Sequence, residues 1–422
     1  MIVYTPTSYL YDSISTGSES HDGEFYAQKV SEIMEKVGPM KVIGYITDNA
    51  SVMKKSWRLL TQKYPHLIAF GCAAHGLNLL CKDIMSIRRL KRLEQSVNAI
   101  VKVFKKSALL SGRIKELSSQ KGAEKVELKL SNKTRWVSTL LSFRSLIKSK
   151  SHIRQIAVDT KYEGILGQEK LARILSSEFW DDVAQAVEIM KPIAKWIILL
   201  QTENKPMLHL VYPAFQEIKR KIASFLQKTS QRNAEKETIL AAIRARQNFC
   251  ITPAHLAAHL LDPNAQGSEL SSSQTHCAMD FIFKWTQKIS PPEVDRVMTD
   301  LAEFRSKTGV FSPSSYLWSM KSTNVNVMQW WNLYSGKLAL ADIASGLLSI
   351  NPTTATTERS FSTFKLIQSA KRKRLLNEKA GKLVYLCHNL KLESTRQTNR
   401  LEEPLNYLGI GKLIASTRHL AF

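Results

Sequence analysis

The hydrophobic pattern changes along the chain, and this change limits the folds that the sequence can adopt. In residues 1–86, short runs rich in β-branched and aromatic residues alternate with helical spacing, which is typical of an α/β arrangement. In residues 87–337 the strand pattern almost disappears, and apolar residues recur at helical spacing between polar loops. Residues 338–392 continue as helices, and residues 393–422 form a polar tail. The sequence therefore predicts a predominantly helical protein with an α/β region at its start.

The strand-type runs give one candidate residue a defined position. Runs at Ile2–Thr5 and Tyr9–Ile14 lie on either side of Pro6 and predict a hairpin. A run at Val42–Thr47 predicts a buried strand, and helical spacing resumes soon after it. Asp48 is therefore expected at the carboxyl-terminal tip of that strand.

The charge of the chain indicates its class of partner. Its 422 residues are 44% hydrophobic and include 60 Lys and Arg against 36 Asp and Glu, for a formal net charge of +24. The composition is globular, and the positive excess favours a polyanion, usually nucleic acid. The alternative is a basic protein with a well-solvated surface. Because the excess is concentrated in residues 82–160 and 351–422, we expect these stretches to build any anion-binding surface.

The sequence argues against a membrane partner, a disulfide framework and a structural zinc site. No run of about 18 apolar residues occurs, so no membrane-spanning helix is expected. His255 and His259 have the spacing of a metalloprotease helix, but Leu256 stands where the general base would be, so both histidines are interpreted as structural. The cysteines are odd in number and scattered, without a Cys-x-x-Cys pair, which indicates a reducing compartment. They are Cys72, Cys81, Cys250, Cys277 and Cys387.

Two carboxylates are candidate metal ligands. Asp48, at a strand tip before a helix, is placed to hold a divalent cation at the open edge of a sheet. The alternative for Asp48 is a helix cap. Glu358 falls in the first turns of a predicted helix, where a carboxylate suits the helix dipole. It is also a candidate to reach a cation held by Asp48.

Cys72 and His75 are separated as in one half of a zinc site. The other half is missing at any usual spacing, so zinc is not expected here. His75 falls on the first turn of a predicted helix. We therefore expect it to make a polar contact, either inside the fold or to a phosphate.

Two basic clusters are candidates for nucleic-acid contacts. Lys133, Arg135 and Trp136 combine cations for phosphate with an indole that stacks on an unpaired base. The alternative for Trp136 is a core anchor of the helical block. Three interpretations of the second cluster are open: a phosphate-binding patch, a nuclear-localisation signal, and the solvated start of the last helix. It consists of Lys371, Arg372, Lys373 and Arg374.

Together these clusters resemble the hAT superfamily of DNA transposases, over about residues 1–392. Thr47–Trp57 and Gly71–Leu80 are similar to segments of its ribonuclease-H-like core, in the subgroup described as a transposase domain of unknown function. Thr134–Trp136 is similar to the Arg-Trp element of the family's helical insertion. The segments similar to its C-terminal dimerisation region are Gln329–Trp331, Leu338–Lys365 and Leu383–Leu390.

The resemblance implies a fold and a metal site. The fold is a ribonuclease-H-like α/β core, incomplete at its N-terminus, that is interrupted by a large all-α insertion. Residues 1–86 would begin the core, residues 87–337 would form the insertion, and residues 338–392 would complete the core and dimerise. The metal site is a D-D-E site for Mg²⁺ or Mn²⁺, in which Asp48 matches the second carboxylate and Glu358 the third.

The resemblance also implies roles in DNA handling and a departure from the family. Cys72 and His75 match a Cys-x-x-His element near the transposon end, and Trp136 matches a tryptophan that handles a flipped base. The family's first Asp lies on a strand upstream of what is here Ile2–Thr5. Neither that Asp nor a BED-type zinc finger occurs in this sequence. Because two-metal chemistry needs carboxylates that clamp both ions, we expect little or no strand cleavage.

The C-terminal region supplies the candidate dimerisation residues. Leu383, Leu386 and Leu390 form one helical stripe. The alternative is that these side chains only pack within the monomer. The full set of candidates is Trp330, Trp331, Phe361, Phe364, Leu383, Leu386 and Leu390.

The sequence leaves three functions open. The favoured one is a transposase-derived nuclear protein that binds DNA and dimerises without full catalysis. The second is an active DNA transposase whose gene model lacks its N-terminus, with Mg²⁺ or Mn²⁺ as cofactor. The third is a dimerisation protein or relic that does not bind DNA.

Overall fold

A computed structural model of the chain describes residues 2–5, 7–13, 21–119, 127–131, 136–202, 206–229, 233–315, 318, 326–368 and 375–402. The chain divides into a larger unit, Ser20–Ala355, and a smaller unit that combines Met1–Glu19 with Thr356–Phe422. The described part is predominantly helical, as the sequence predicts. The domain boundaries predicted from the sequence stay predictions.

The elements, in chain order, are four strands and a long series of helices among the described residues. The strands are β1 (Ile2–Thr5), β2 (Thr7–Leu10), β3 (Gly44–Thr47) and β4 (Ile68–Gly71). The first helices are α1 (Gly23–Val37), α2 (Ser51–Lys63), α3 (Ala73–Met85), α4 (Arg88–Lys106), α5 (Ala108–Ser118), α6 (Trp136–Lys148), α7 (Lys150–Ala157), α8 (Glu163–Leu166), α9 (Gln168–Leu175) and α10 (Ser177–Leu200). The others are α11 (Val211–Gln227), α12 (Asn233–Cys250), α13 (Pro253–Leu260), α14 (Ser272–Ile289), α15 (Val294–Ser306), α16 (Val327–Asn332), α17 (Ala339–Leu348), α18 (Ala355–Ile367) and α19 (Asn377–Glu402).

The larger unit begins with an α/β region, as the sequence predicts. The Asp22 carboxylate accepts a hydrogen bond from the Phe25 amide at the start of α1, and Gly38 ends that helix with a φ of 101°, which favours glycine. β3 and β4 pair in parallel, with Thr47 opposite Gly71. The carboxyl ends of both strands therefore meet at one edge.

Three clusters of buried side chains hold the larger unit together. The first core joins α3–α12 and includes Phe104, Phe143 and Trp180. The second core backs β4 with α13–α17 and includes Phe304. The third core packs α1 against α2 and includes Met34. Because Phe70 of β4 belongs to the second core, the helical block supports the strand edge.

The smaller unit contains the predicted hairpin and the last helices. β1 and β2 pair antiparallel, and β2 ends at Leu10 instead of at the predicted Ile14. The side chain of Asn389 on α19 accepts a hydrogen bond from the Leu10 amide and donates one to the Leu10 carbonyl, each at 3.1 Å. Asn389 thus satisfies backbone groups of β2 that would otherwise be exposed at its edge.

Several boundaries differ from the sequence-based expectation. Within residues 87–337, where helical spacing was predicted, α4 and α5 are separated at Ser107, whose hydroxyl caps α5 by accepting from the Leu110 amide. The last helix was expected to end at Leu392, whereas α19 continues to Glu402, so residues 393–402 are helical. The described strands form two separate two-stranded sheets, so a larger ribonuclease-H-like sheet stays a prediction. Within the described residues, no helix is both long and apolar enough to cross a membrane.

Candidate functional site

The loop after β3 carries Asp48 at the strand edge, where the sequence predicts it. Asp48 is exposed, and its Oδ1 accepts a hydrogen bond from the Ala50 amide at 3.1 Å. The N-cap position of α2 is Ala50, which offers no side-chain cap. Asp48 therefore shapes the turn that leads into α2 and still presents its carboxylate to solvent.

Contacts from both sides fix this loop. Thr47 Oγ1 donates to the Asp48 carbonyl at 2.8 Å and accepts from Trp57 Nε1 at 3.0 Å. At Gly71 a Cβ atom would lie only 1.7 Å from Asn49 Oδ1, so this packing requires glycine. The Asn49 amide thus lies against the end of β4. The loop carrying Asp48 is held between α2 and β4.

Cys72 is buried and is the N-cap residue of α3. Its side chain is 1% exposed, and its Sγ accepts from the amides of His75 and Thr354, each at 3.4 Å. The Ala73 amide also donates to the Pro352 carbonyl at 2.9 Å. This placement differs from the expected contact with nucleic acid, because a buried thiol that caps a helix offers no surface to DNA. His75 is half-buried on the first turn of α3.

Glu358 lies on the first turn of α18 and is exposed. It belongs to the smaller unit, whereas Asp48 belongs to the larger one. Within the described residues, no three His, Cys, Asp or Glu side chains come together in a way that could hold a metal ion. A Mg²⁺ or Mn²⁺ site built from Asp48 and Glu358 therefore stays a prediction.

A cationic groove runs along α2 and was not identified from the sequence. It has a volume of about 530 Å³. The Lys54 ammonium lies 4.3 Å from the centre of the Phe249 ring, and the Arg246 guanidinium lies 5.5 Å from the same ring. Phe249 remains partly exposed. The sequence pattern that indicates this groove is the pair of cations Lys54 and Arg58, which lie four residues apart on one side of α2. The groove is lined by Ser51, Lys54, Lys55, Trp57, Arg58, Thr61 and Ala69.

The predicted basic clusters are only partly described. Trp136 begins α6, where it is half-buried and packs against the first core. This placement supports the core-anchor alternative and leaves part of the indole accessible. Lys133 and Arg135 lie outside the described residues, as do Lys371, Arg372, Lys373 and Arg374.

Trp330 and Trp331 lie in the second core instead of on a dimerisation surface. Their exposed fractions are 1% and 0%. Trp331 Nε1 donates to the Leu261 carbonyl at 2.8 Å, and its ring centre lies 5.1 Å from that of Phe304. The apolar pattern indicated burial correctly, but the partner is the same chain.

The apolar stripe on α19 is exposed. Leu383, Leu386 and Leu390 are 39%, 50% and 58% exposed. Ala380 and Val384, on another face of the helix, are buried within the smaller unit. On α18, Phe361 is exposed and Phe364 is half-buried. The leucine stripe is therefore available to a partner, and packing within the unit uses other residues of α19.

His255 and His259 are structural, as the sequence predicts. Both are buried in α13. His255 Nδ1 accepts from the Thr252 amide at 3.2 Å, and His259 Nε2 donates to the Ser268 carbonyl at 2.8 Å. Burial lowers the pKa of His255 from 6.5 to about 3, so its ring is neutral at physiological pH.

Three segments of the chain match models of known families. Residues 1–100 match the domain of unknown function DUF659, residues 70–189 match the ZBED1 RNase-like helical domain, and residues 310–390 match the hAT family C-terminal dimerisation region. No curated protein matches the chain. The three matches support an hAT-family, transposase-like protein, and the third supports self-association.

Proposed function

We propose that this hAT-family, transposase-like chain is a nuclear protein that binds DNA with its larger unit and self-associates through the leucine stripe of α19. The observation that carries the proposal is the groove along α2, which is lined by Lys54, Arg58 and the Trp57 ring. The net charge of +24 supports a polyanionic partner.

The groove suits a nucleic-acid strand chemically. Lys54 and Arg58 supply positive charge for phosphate, and Trp57 supplies ring surface for an unpaired base. His75 and the exposed part of Trp136 are proposed as further contacts, together with Lys133, Arg135 and the cluster Lys371, Arg372, Lys373 and Arg374. Phosphate contacts of this kind position DNA without reading its sequence.

Self-association is proposed to bury the leucine stripe. A row of leucines that is about half exposed on one helix leaves apolar area in water. The match of residues 310–390 to a dimerisation region supports a second copy of this chain as the partner. Phe361 lies on α18 of the same unit and is proposed to join this contact.

We propose that these residues do not cleave DNA by themselves. Asp48 and Glu358 are the two carboxylates that the family resemblance assigns, and two-metal cleavage requires more ligands than these. The Asp48 Oδ1 atom is also engaged by the Ala50 amide. If the site is active, Mg²⁺ or Mn²⁺ is its expected cofactor.

DNA binding is tested by the anisotropy of a labelled duplex as a function of salt. The double variant Lys54→Gln with Arg58→Gln is compared with Lys36→Gln with Lys288→Gln, which removes the same charge from exposed positions on α1 and α14. We expect steep salt dependence for the unsubstituted chain and clear weakening only in the groove variant. No DNA binding at physiological salt would leave a protein that only self-associates.

Catalysis is tested by nicking of supercoiled DNA and of transposon-end DNA with Mg²⁺ or Mn²⁺. The variants are Asp48→Ala and Glu358→Ala, on protein shown to be folded. The expected result is no cleavage, with DNA still retained in a mobility-shift assay on the same samples. Cleavage that both variants abolish would contradict the proposal and establish an active transposase.

A further inference from the structure

Helix α4 has two chemically different faces. One face is buried in the first core, and the opposite face is exposed. The exposed face carries five cations and no carboxylate, together with Gln95 and the half-buried Ala99. Lys105 is also exposed, but it lies to the side of this face and donates to the Leu128 carbonyl. These five cations, here called the α4 row, are Arg88, Lys91, Arg92, Lys102 and Lys106. Their spacing of i, i+3, i+4, i+14 and i+18 places them on one side of the helix.

The α4 row is not neutralised by the fold. Among the described residues, no ion pair joins any of its members to a carboxylate. The neighbouring Arg89 behaves differently: it forms ion pairs with Asp182 and with Glu235. The only acidic residue of α4, Glu94, lies off the row, and burial raises its pKa. The chain thus pairs the inner arginine and leaves the outer cations to solvent.

Within the α4 row, neighbouring cations repel each other and those near the N-terminus oppose the helix dipole, whereas the dipole favours Lys106 in the last turn. Arg88 and Lys91 lie near the helix N-terminus, where the dipole disfavours positive charge. Arg88 repels Arg92 at i+4, and Lys102 repels Lys106 at the same spacing. Each such contact costs a few tenths of a kcal/mol. Repeated unfavourable charges on one face are expected where an external anion compensates them.

The length of the row suits a DNA duplex. At about 1.5 Å per residue, Arg88 and Lys106 lie about 27 Å apart along the axis. The row has one cluster at each end. Arg88, Lys91 and Arg92 form the first, and Lys102 and Lys106 form the second. The centres of the two clusters are about 21 Å apart along the helix axis. The major groove of DNA is about 12 Å wide, and long side chains reach the phosphates on either side. The clusters can therefore contact two phosphate backbones at once.

We infer that the α4 row is a docking surface for duplex DNA, on which α4 crosses the major groove and holds the two flanking phosphate backbones. Gln95 and Ala99 separate the clusters, and the cations bind phosphates and not bases, so the contact is independent of sequence. The inference rests on the proposed DNA binding and assigns to it a second surface, distinct from the groove along α2.

The test uses the full chain and a labelled duplex in anisotropy titrations at several salt concentrations. The triple variant Lys91→Gln, Arg92→Gln and Lys102→Gln is compared with Lys36→Gln, Lys288→Gln and Lys337→Gln. The control removes the same charge from exposed positions on other elements. Losing three phosphate contacts is expected to reduce the slope of log K against log salt by about 3 and to weaken binding about 100-fold at 0.15 M salt. The control is expected to stay close to the unsubstituted chain.

Thermal unfolding provides a second readout. Because the substitutions relieve repulsion within α4, the triple variant is expected to melt at the same temperature as the unsubstituted chain or higher. Lower stability would instead indicate a structural role and would overturn the inference. Equal DNA affinity of the triple variant and the control would also overturn it.

The remaining outcomes separate the inference from the proposed function. If the unsubstituted chain binds no DNA, the proposed function fails, and the inference fails with it. If the chain binds and only the groove variant weakens binding, the proposed function stands and the α4 row is excluded. A single strand of the same length that competes as well as the duplex would overturn the assignment to two backbones.

Discussion

Acid is expected to destabilise the larger unit through His255. Its ring is buried in the second-core region, with its centre 4.6 Å from that of Phe70 on β4. Nδ1 already accepts from the Thr252 amide, and Nε2 has no hydrogen-bond partner among the described residues. A proton added to the ring would create a buried charge without a counter-ion.

The size of the effect follows from the change in pKa. The pKa of His255 falls from 6.5 to about 3 on folding, so the unfolded chain takes up the proton first. The contribution to stability is therefore complete above about pH 6.5 and is lost as the pH falls toward the folded pKa. At pH 5, which is about 1.5 units below the pKa of the unfolded chain, the lost stability is about 1.4 kcal/mol per unit, or about 2 kcal/mol in total. Burial also lowers the pKa of His209, which acts in the same direction.

The assay is urea unfolding at pH 7 and pH 5, followed by tryptophan fluorescence. Trp330 and Trp331 lie in the second core, so their emission reports the region of interest. The comparison is with His255→Asn, whose side-chain oxygen replaces Nδ1 as the acceptor for the Thr252 amide. We expect the unsubstituted chain to lose about 2 kcal/mol more than this variant between the two pH values. An equal loss in both proteins, or a His255 ring resonance that titrates between pH 7 and pH 5, would refute the reasoning.

Three further predictions concern packing and self-association. Trp331→Ala is expected to lower the free energy of unfolding by about 3–5 kcal/mol, measured by urea denaturation, because a fully buried indole is removed. Gly71→Ala is expected to lower the thermal midpoint, since the new Cβ would overlap the Asn49 side chain. At Gly112 the new Cβ meets no atom of the described residues within 4 Å, so Gly112→Ala is expected to raise the midpoint. Leu386→Glu with Leu390→Glu is expected to convert the dimer to a monomer in sedimentation velocity without lowering the thermal midpoint, because both leucines are exposed.

Local patterns were sufficient to predict the early elements. The helical spacing predicted within residues 1–86 includes α1, whose acidic cap Asp22, apolar stripe and Gly-Pro stop all lie within neighbouring residues. The strand run that ends at Thr47 also places Asp48 correctly at its tip. These signals depend on the adjacent chain, so periodicity and capping reveal them.

Long-range partners were not predictable in the same way. Cys72 and His75 have the spacing of a ligand pair, yet the second amide bound by Cys72 Sγ belongs to Thr354, 282 residues away along the chain. Trp330 and Trp331 are apolar and adjacent, and nothing local distinguishes a core position from an interface. Only the packing of α16 against α13 and α15 decides it.

The α4 row was present in the sequence but needed the structure to be recognised. The charge of residues 82–160 was evident as a total, but a total does not separate Arg89, which is paired, from Arg88, which forms no ion pair within the described part of the chain. Burial of the opposite face of α4 is what places the remaining cations together on the surface. Charge excess therefore predicted the partner class, and the fold is needed to locate the surface.

The α4 row and the leucine stripe of α19 are both unfavourable for an isolated chain. Electrostatic neutralisation would relieve the first, and apolar burial would relieve the second. On each helix the fold uses other residues for its own packing, Arg89 on α4 and Val384 on α19, so neither surface is needed for folding. DNA would neutralise the first surface, and a second copy would bury the second. Salt screens the phosphate contacts and leaves apolar burial intact. Raising the salt concentration should therefore release DNA while the chain stays self-associated, whereas a dimer that forms only on DNA would dissociate with it.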